Sequence, residues 1–186
     1  MVQHLAFTTK ISGRVRVLTN KVKIGEAATL EEVERGGYQL REYTAIWDTG
    51  ATNSAITQRV VRDLGLKPSG VAEVRHAKGK SSTNTYLINI GLPSRSMFGQ
   101  VRVTEADLIP DDGADEKDHT QVLIGMDIIG AGDFAVTNFN GRTTFSYCQP
   151  SLREIDFIPE AHRNNLGETR AERRIREREL KKRGIL

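Results

Sequence analysis

Short stretches of alternating apolar and polar residues, or of uninterrupted apolar residues, recur along the first 150 positions of the chain. Alternation is typical of strands with one buried face, and a short apolar run is typical of a fully buried strand. The pattern predicts eight strands, over residues 14–19, 38–47, 71–77, 83–90, 101–103, 120–124, 133–137 and 143–147. The turn-rich residues 78–82 and the pair Asn140-Gly141 indicate hairpin connections.

Two short helices are predicted between these strands. Thr57 is a suitable N-cap for a helix that runs to Leu64, and Gly65 is a suitable stop. The second helix is predicted over residues 126–129. The segment 107–118 holds six acidic residues and is predicted to be an exposed loop. Together these elements predict an all-β domain with two short helices.

The charge along the chain separates two regions. The 186 residues include 27 Lys and Arg against 24 Asp and Glu. Residues 151–186 carry ten of the basic and seven of the acidic residues, so residues 1–150 are neutral. We therefore predict a globular domain over 1–150 and a charged tail over 151–186, helical over 168–183. A neutral domain offers no electrostatic surface for a phosphate backbone, so nucleic acid is not expected to bind it. The tail is either a solvated helix or a docking segment.

Several classes of protein are excluded by what the chain lacks. Cys148 is the only cysteine, which excludes a disulfide scaffold and a four-cysteine zinc site. The four histidines show no metal-ligand spacing, so neither a metal nor another cofactor is predicted. No apolar run approaches the ~20 residues that cross a bilayer, and the first residues lack the pattern of a secretory signal. We therefore expect a cytoplasmic protein with no membrane partner.

The most specific local feature is Asp48-Thr49-Gly50-Ala51, which directly follows the apolar residues 45–47. This pattern places a carboxylate on a tight turn that leaves a sheet, where glycine allows another group to approach the backbone. By itself, such a tripeptide is more often only a strand-ending aspartate in a capped turn. A second segment, Leu123-Ile124-Gly125, combines an apolar strand with a glycine and changes this interpretation.

The two segments together resemble the retropepsin-like aspartic protease family, in which an Asp-Thr/Ser-Gly-Ala turn packs against a later apolar-apolar-Gly segment. The resemblance implies a single-lobe acid-protease β-barrel, here followed by the charged helical extension. It implies a catalytic role for Asp48. Five residues would brace the active site or form its floor: Thr49, Gly50, Ala51, Ile124 and Gly125. A flap that binds substrate is implied at Ala77, Lys78, Gly79 and Lys80.

The chain contains a single Asp-Thr-Gly, whereas pepsin-like enzymes carry two such motifs in one chain. The resemblance therefore implies a homodimer in which each protomer donates Asp48. The paired carboxylates would share one proton and activate a water that attacks a peptide bond. The implied function is an aspartic endopeptidase acting on an extended peptide or protein, and processing a specific intracellular protein. The alternative is a non-catalytic peptide-binding or dimerisation module whose basic tail contacts a protein or nucleic acid.

Two residues near the motif segments, Asp127 and Trp47, are predicted to have structural roles. Asp127 is interpreted as a cap of the second short helix rather than as a substrate contact. Trp47 precedes Asp48 and points to the opposite face of its strand, so it is predicted to lie in the core. Because the chain termini of retropepsin-like dimers interleave, residues 5–9 and the strand after Gly141 are candidates for the dimer interface.

Overall fold

The computed structural model describes residues 2–35, 38–76, 79–108, 119–165 and 170–182. It divides the chain into two units, Met1–Leu152 and Arg153–Leu186. The described strands of the first unit are β1 Leu5–Lys10, β2 Thr19–Glu26, β3 Arg41–Trp47, β4 Ala55–Ile56, β5 Gly70–His76, β6 Gly79–Gly91, β7 Met97–Glu105, β8 Thr120–Ile124, β9 Asp133–Thr137 and β10 Thr144–Gln149. Its described helices are α1 Leu30–Glu34, α2 Gln58–Leu64 and α3 Met126–Ile129. The described helices of the second unit are α4 Ile158–Asn165 and α5 Arg170–Lys182.

Six strands of the first unit close into a barrel. Each pairs with the next in the order β2-β3-β8-β4-β7-β6, and β6 pairs back with β2 between residues 88–91 and 23–26. The β3–β8 and β4–β7 pairs are parallel, and the other four are antiparallel. β5 extends β6 into a hairpin outside this ring. The all-β barrel that the resemblance implied is confirmed.

The barrel interior forms the core because inward-facing side chains alternate along its strands. On β3, the buried residues Tyr43, Ala45 and Trp47 alternate with more exposed neighbours. β8 buries Val122 and Ile124 in the same way. Further fully buried apolar residues complete the interior: Val22, Ile24, Ile56, Val60, Ile88, Ile90 and Val103.

A second sheet, in the order β1-β10-β9, contributes to an aromatic cluster around Trp47. Trp47 stacks on Phe134 of β9, with ring centroids 5.5 Å apart and planes 6° from parallel. The indole N–H of Trp47 donates to Asn20 Oδ1 at 3.0 Å. Three more rings contact Trp47: Phe7, Phe145 and Tyr147. The prediction that Trp47 belongs to the core is confirmed, since it is only 4% exposed.

The two terminal segments that were candidates for the dimer interface pair with each other inside one chain. β1 is antiparallel to β10, from the pair Leu5 and Gln149 to the pair Lys10 and Thr144. The other side of β10 is taken by β9. Both edges of β10 are therefore occupied within the chain, and β1 and β9 are the outer strands of this sheet.

The predicted strand over residues 14–19 is wrong. Residues 14–18 form no strand, and β2 begins at Thr19. Val15 and Val17 alternate with arginines, but they stay 36% and 38% exposed, so no apolar face is buried. The Val15 N–H instead donates to Thr143 Oγ1 at 3.1 Å. The strand that does form, with Val22 buried, was not predicted.

The predicted helices are observed at their expected positions. α2 follows Thr57 and ends at Gly65, whose φ of 64° lies in the left-handed region that glycine favours. α3 spans residues 126–129, and α5 falls within the helix predicted over 168–183. α1 and α4 were not predicted, although a Thr29–Glu32 capping box marks the start of α1 in the sequence. Most of the predicted acidic loop lies outside the described residues.

Candidate active site

Asp48 lies where β3 leaves the barrel, one residue after the buried Trp47. Its backbone N–H donates to the Ile124 carbonyl at 3.0 Å, which continues the parallel β3–β8 pairing by one residue. Ile124 is fully buried beneath this point. The strand pairing therefore presents the Asp48 side chain at the end of a rigid sheet, next to the end of β8.

The turn after β3 holds the Asp48 carboxylate in one orientation. The Gly50 N–H donates to Asp48 Oδ1 at 2.8 Å, and the Ala51 N–H donates to the Asp48 carbonyl at 3.2 Å. Asp48 is half-buried, whereas Thr49 and Gly50 are exposed. An oriented carboxylate beside exposed backbone suits a group that must meet a reactant from outside the chain.

The Gly125 segment packs directly against this turn. The Met126 N–H donates to the Ala51 carbonyl at 2.8 Å, and the Asp127 N–H donates to the Thr52 carbonyl at 3.1 Å. A Cβ built on Gly125 would lie 2.6 Å from the Asn53 carbonyl carbon. Only glycine permits this approach, so the Asp48 turn and the Gly125 segment, which carry the family resemblance, lie in direct contact.

Ser54 and Asp127 join the two segments through side chains. Asp127 Oδ1 accepts from Ser54 Oγ at 2.7 Å, and Asp127 Oδ2 accepts from the Ser54 N–H at 3.0 Å. Ser54 Oγ in turn accepts from the Gly125 N–H at 3.0 Å, and Ser54 is fully buried. Sequence reasoning missed Ser54. The available signal was a carboxylate inside the otherwise apolar run over residues 122–129.

The interpretation of Asp127 as the cap of α3 is corrected. Gly125 is the N-cap residue of α3, and Asp127 lies inside the first turn. Its carboxylate accepts from the Ile128 N–H at 3.0 Å as well as from Ser54. Asp127 is structural, as interpreted, but it joins α3 to the turn after β3 because Ser54 offers it two donors.

α3 is also held by β10. The Tyr147 hydroxyl donates to the Ile128 carbonyl at 2.7 Å, and Tyr147 is fully buried. Burial, followed by the nearby charges of Cys148 and Asp133, raises the pKa of Tyr147 to about 12. The helix that follows Gly125 is therefore fixed on two sides, by Asp127 and by Tyr147.

The candidate flap is the hairpin of β5 and β6. Gly79 begins β6 opposite His76, and Lys80 Nζ lies 2.8 Å from Glu73 Oε1 across the hairpin, with both side chains exposed. Ala77 and Lys78, at the predicted tip, lie outside the described residues. Lys80 is thus paired within the hairpin itself.

In the described part of the chain, no group of three or more His, Cys, Asp or Glu side chains is placed to hold a metal ion. No helix among the described residues is both long and apolar enough to cross a membrane.

Comparison with known proteins identifies the family. A model of aspartyl proteases matches residues 32–128, which is just over half of the chain and includes both the Asp48 turn and the Gly125 segment. No curated protein matches the chain by sequence. This match confirms the family resemblance drawn from the two segments.

Two solved structures match the chain in a comparison of folds, both at low sequence identity. A retropepsin-like aspartic protease from Rickettsia conorii is 12% identical, with a TM-score of 0.43, over 80% of this chain and 97% of that one. The Simian Foamy Virus protease is 14% identical, with a TM-score of 0.35, over 60% of this chain and 92% of that one. Because both scores are below 0.5, the family assignment rests on the family model.

Proposed function

We propose that this chain, which belongs to the aspartyl protease family, is an endopeptidase that cuts peptide bonds with a dyad of two Asp48 carboxylates. One observation carries the proposal: in a chain of this family, the Asp48 turn and the Gly125 segment are hydrogen-bonded into one rigid unit around a single oriented carboxylate. The chain supplies one Asp-Thr-Gly, so the second carboxylate would come from a second copy.

The chemistry follows from the repulsion between two carboxylates held about 3 Å apart, which favours a state with one shared proton. The ionised Asp48 takes a proton from a water, whose oxygen attacks the scissile carbonyl. The protonated Asp48 donates its proton to the carbonyl oxygen as the tetrahedral intermediate forms. The Asp48 that took the water proton then gives it to the leaving nitrogen, and the other Asp48 takes a proton from a hydroxyl of the tetrahedral intermediate as the C–N bond breaks. The pair again shares one proton, and the products are an amine and a carboxylic acid.

The neighbouring residues take supporting roles in the proposed dimer. Thr49, exposed in the single chain, would brace the two turns across the dimer axis, and Gly50 would admit the substrate backbone. Ile124 and Gly125 form the floor beneath the Asp48 turn. The β5–β6 hairpin would close over an extended peptide and pair with it as an added strand. The proposed substrate is therefore an extended segment of a peptide or protein.

The test is cleavage of a diverse peptide library between pH 4 and 8 by the wild type and by Asp48→Asn. We expect the wild type to cleave and Asp48→Asn to lose at least about 10²–10⁴-fold in rate, because an amide cannot share the proton. Asp156→Asn makes the same chemical change in the second unit and serves as the matched control, with activity retained.

Cleavage that persists in Asp48→Asn would refute the assignment. Peptide binding without cleavage by the wild type, at every pH tested, would instead favour the non-catalytic peptide-binding module.

A further inference from the structure

The second unit contains a helix whose positive charge is concentrated on one face. α5 holds seven Arg or Lys and three Glu among its 13 residues, a net charge of +4. Four of the basic residues are spaced i, i+4, i+7 and i+8, so they lie on one side of the helix: Arg174, Arg178, Lys181 and Lys182. All four side chains are exposed. We call these four residues the basic stripe.

The acidic residues of α5 leave the basic stripe nearly continuous. With 3.6 residues per turn, Glu172 and Glu179 fall on the other side of the helix, and Glu177 borders the stripe. The helix therefore presents a positive face rather than an even mixture of signs. A ligand that matches this face carries a line of negative charges.

The geometry and chemistry of the basic stripe suit a phosphate backbone. The stripe spans residues 174–182, which rise about 12 Å along the helix, so its positive charge extends in a line over several phosphates of a nucleic-acid strand. Two of the four stripe residues, Arg174 and Arg178, are arginines, whose planar guanidinium groups bind phosphate oxygens through two parallel hydrogen bonds. The basic stripe thus matches a repeating phosphate chain in the sign and in the extended, linear arrangement of its charge.

A membrane surface fits α5 less well than a nucleic acid does. A helix that lies on a bilayer needs a broad apolar face, commonly with Trp, Phe and Leu. The large apolar residues of α5 are only Ile175 and Leu180, and Ile175 is 58% exposed. The attraction that α5 offers is therefore electrostatic rather than hydrophobic.

We propose that α5 binds the phosphate backbone of a nucleic acid through the basic stripe, without reading the base sequence. The charge count supports assigning this role to the tail, because residues 1–150 are neutral and residues 151–186 carry all of the excess positive charge. The proposal is independent of peptidase activity, and a chain without a working Asp48 would bind equally well.

The test measures fluorescence anisotropy of labelled nucleic acid against the full chain in an Asp48→Asn background. The probes are a mixed-sequence DNA duplex and a single-stranded RNA, each about 20 nucleotides long, titrated at about 50 to 200 mM KCl. Four phosphate contacts predict a log–log salt slope of about −3.6 on the duplex, a loss of roughly 10²-fold in affinity across this range. Tighter binding of one probe would identify the source of the phosphates.

Two triple variants with the same change in charge test the basic stripe itself. Arg174→Gln/Arg178→Gln/Lys182→Gln removes three stripe cations, and we expect the salt slope to fall by about 2.7. Arg153→Gln/Arg163→Gln/Arg176→Gln removes three other cations of the second unit and should keep most of the slope. Glutamine preserves helix propensity, and circular dichroism checks that both variants remain helical.

Three results would overturn the proposal. The first is no salt-dependent binding by the parent chain at the lowest salt. The second is an equal loss in both triple variants, which would indicate diffuse charge rather than the stripe. The third is displacement of both probes by poly-glutamate at equal charge concentration, which would indicate an acidic protein surface as the ligand.

Discussion

At the scale of single residues, Ser54 and Gly125 decide how closely the two halves of the candidate site approach. Gly125 leaves room for the Asn53 carbonyl, and its N–H donates to the buried Ser54 hydroxyl. The Ser54 hydroxyl in turn donates to the Asp127 carboxylate. A small polar side chain is thus a structural requirement three residues beyond the family motif.

We predict that Ser54→Ala destabilises the protein by about 1–3 kcal/mol, because a buried N–H and a carboxylate each lose a partner. The measurement is the free energy of unfolding in urea. The exposed Ser12 provides the control, and Ser12→Ala should stay within about 0.5 kcal/mol of the wild type. A Ser54→Ala protein as stable as Ser12→Ala would show that the network adds nothing to stability.

At the scale of elements, the candidate site depends on α3, whose position is fixed by contacts with other elements. β10 lies in the second sheet, yet its Tyr147 reaches the last turn of α3 and donates to the Ile128 carbonyl. α3 has only four residues and is too short to be stable alone. Its position therefore depends on β10 and on Asp127.

We predict that Tyr147→Phe lowers the free energy of unfolding by about 1 kcal/mol near pH 8, because the Ile128 carbonyl loses its hydrogen bond. Burial raises the folded-state pKa of Tyr147 to about 12, above the value near 10 of an unfolded chain. The folded protein then holds a proton that the unfolded chain releases, so stability is complete below about pH 10 and falls towards pH 12.

Urea unfolding at pH 8 and pH 11 measures both effects. The wild type should lose stability between these pH values, and Tyr147→Phe should lose less. Some of the loss should remain in the variant, because burial also raises the pKa of Tyr43 to about 12. An equal loss in both proteins would show that Tyr147 does not contribute to the alkaline transition.

At the scale of the whole molecule, the first unit contains one closed barrel that presents one Asp48, and its Thr49 and Gly50 are exposed. Under the proposed function, the catalytic centre forms only where two such turns meet. Activity would then be a property of the pair of chains, and each pair would need both carboxylates.

We predict that mixing the wild type with a roughly tenfold excess of Asp48→Asn lowers activity per wild-type protomer about tenfold, because random pairing leaves few wild-type homodimers. The measurement is the initial cleavage rate after the chains have exchanged. The matched control adds the same excess of Asp48→Asn immediately before the assay, before the chains exchange, which should leave the rate unchanged. A rate proportional to the wild-type concentration alone would indicate an active monomer.

The sequence by itself determined the features that depend on local chemistry. The Asp48 turn, the Gly125 segment, the stop of α2 at Gly65 and the helical tail were all predicted, because caps, glycines and apolar periodicity act within a few residues. The same signals failed over residues 14–19, where alternation occurs without burial.

Only the tertiary structure decided which distant segments meet. Barrel closure joins β2 to β6, and the parallel pairing joins β3 to β8. β1 pairs with β10 of the same chain, so these two strands satisfy each other's hydrogen bonds. The bond between Ser54 and Asp127 exists because these pairings bring the two residues together. Strand partners and register depend on which apolar faces the whole chain can bury together. This burial depends on contacts between distant residues, so no short segment of the sequence determines it.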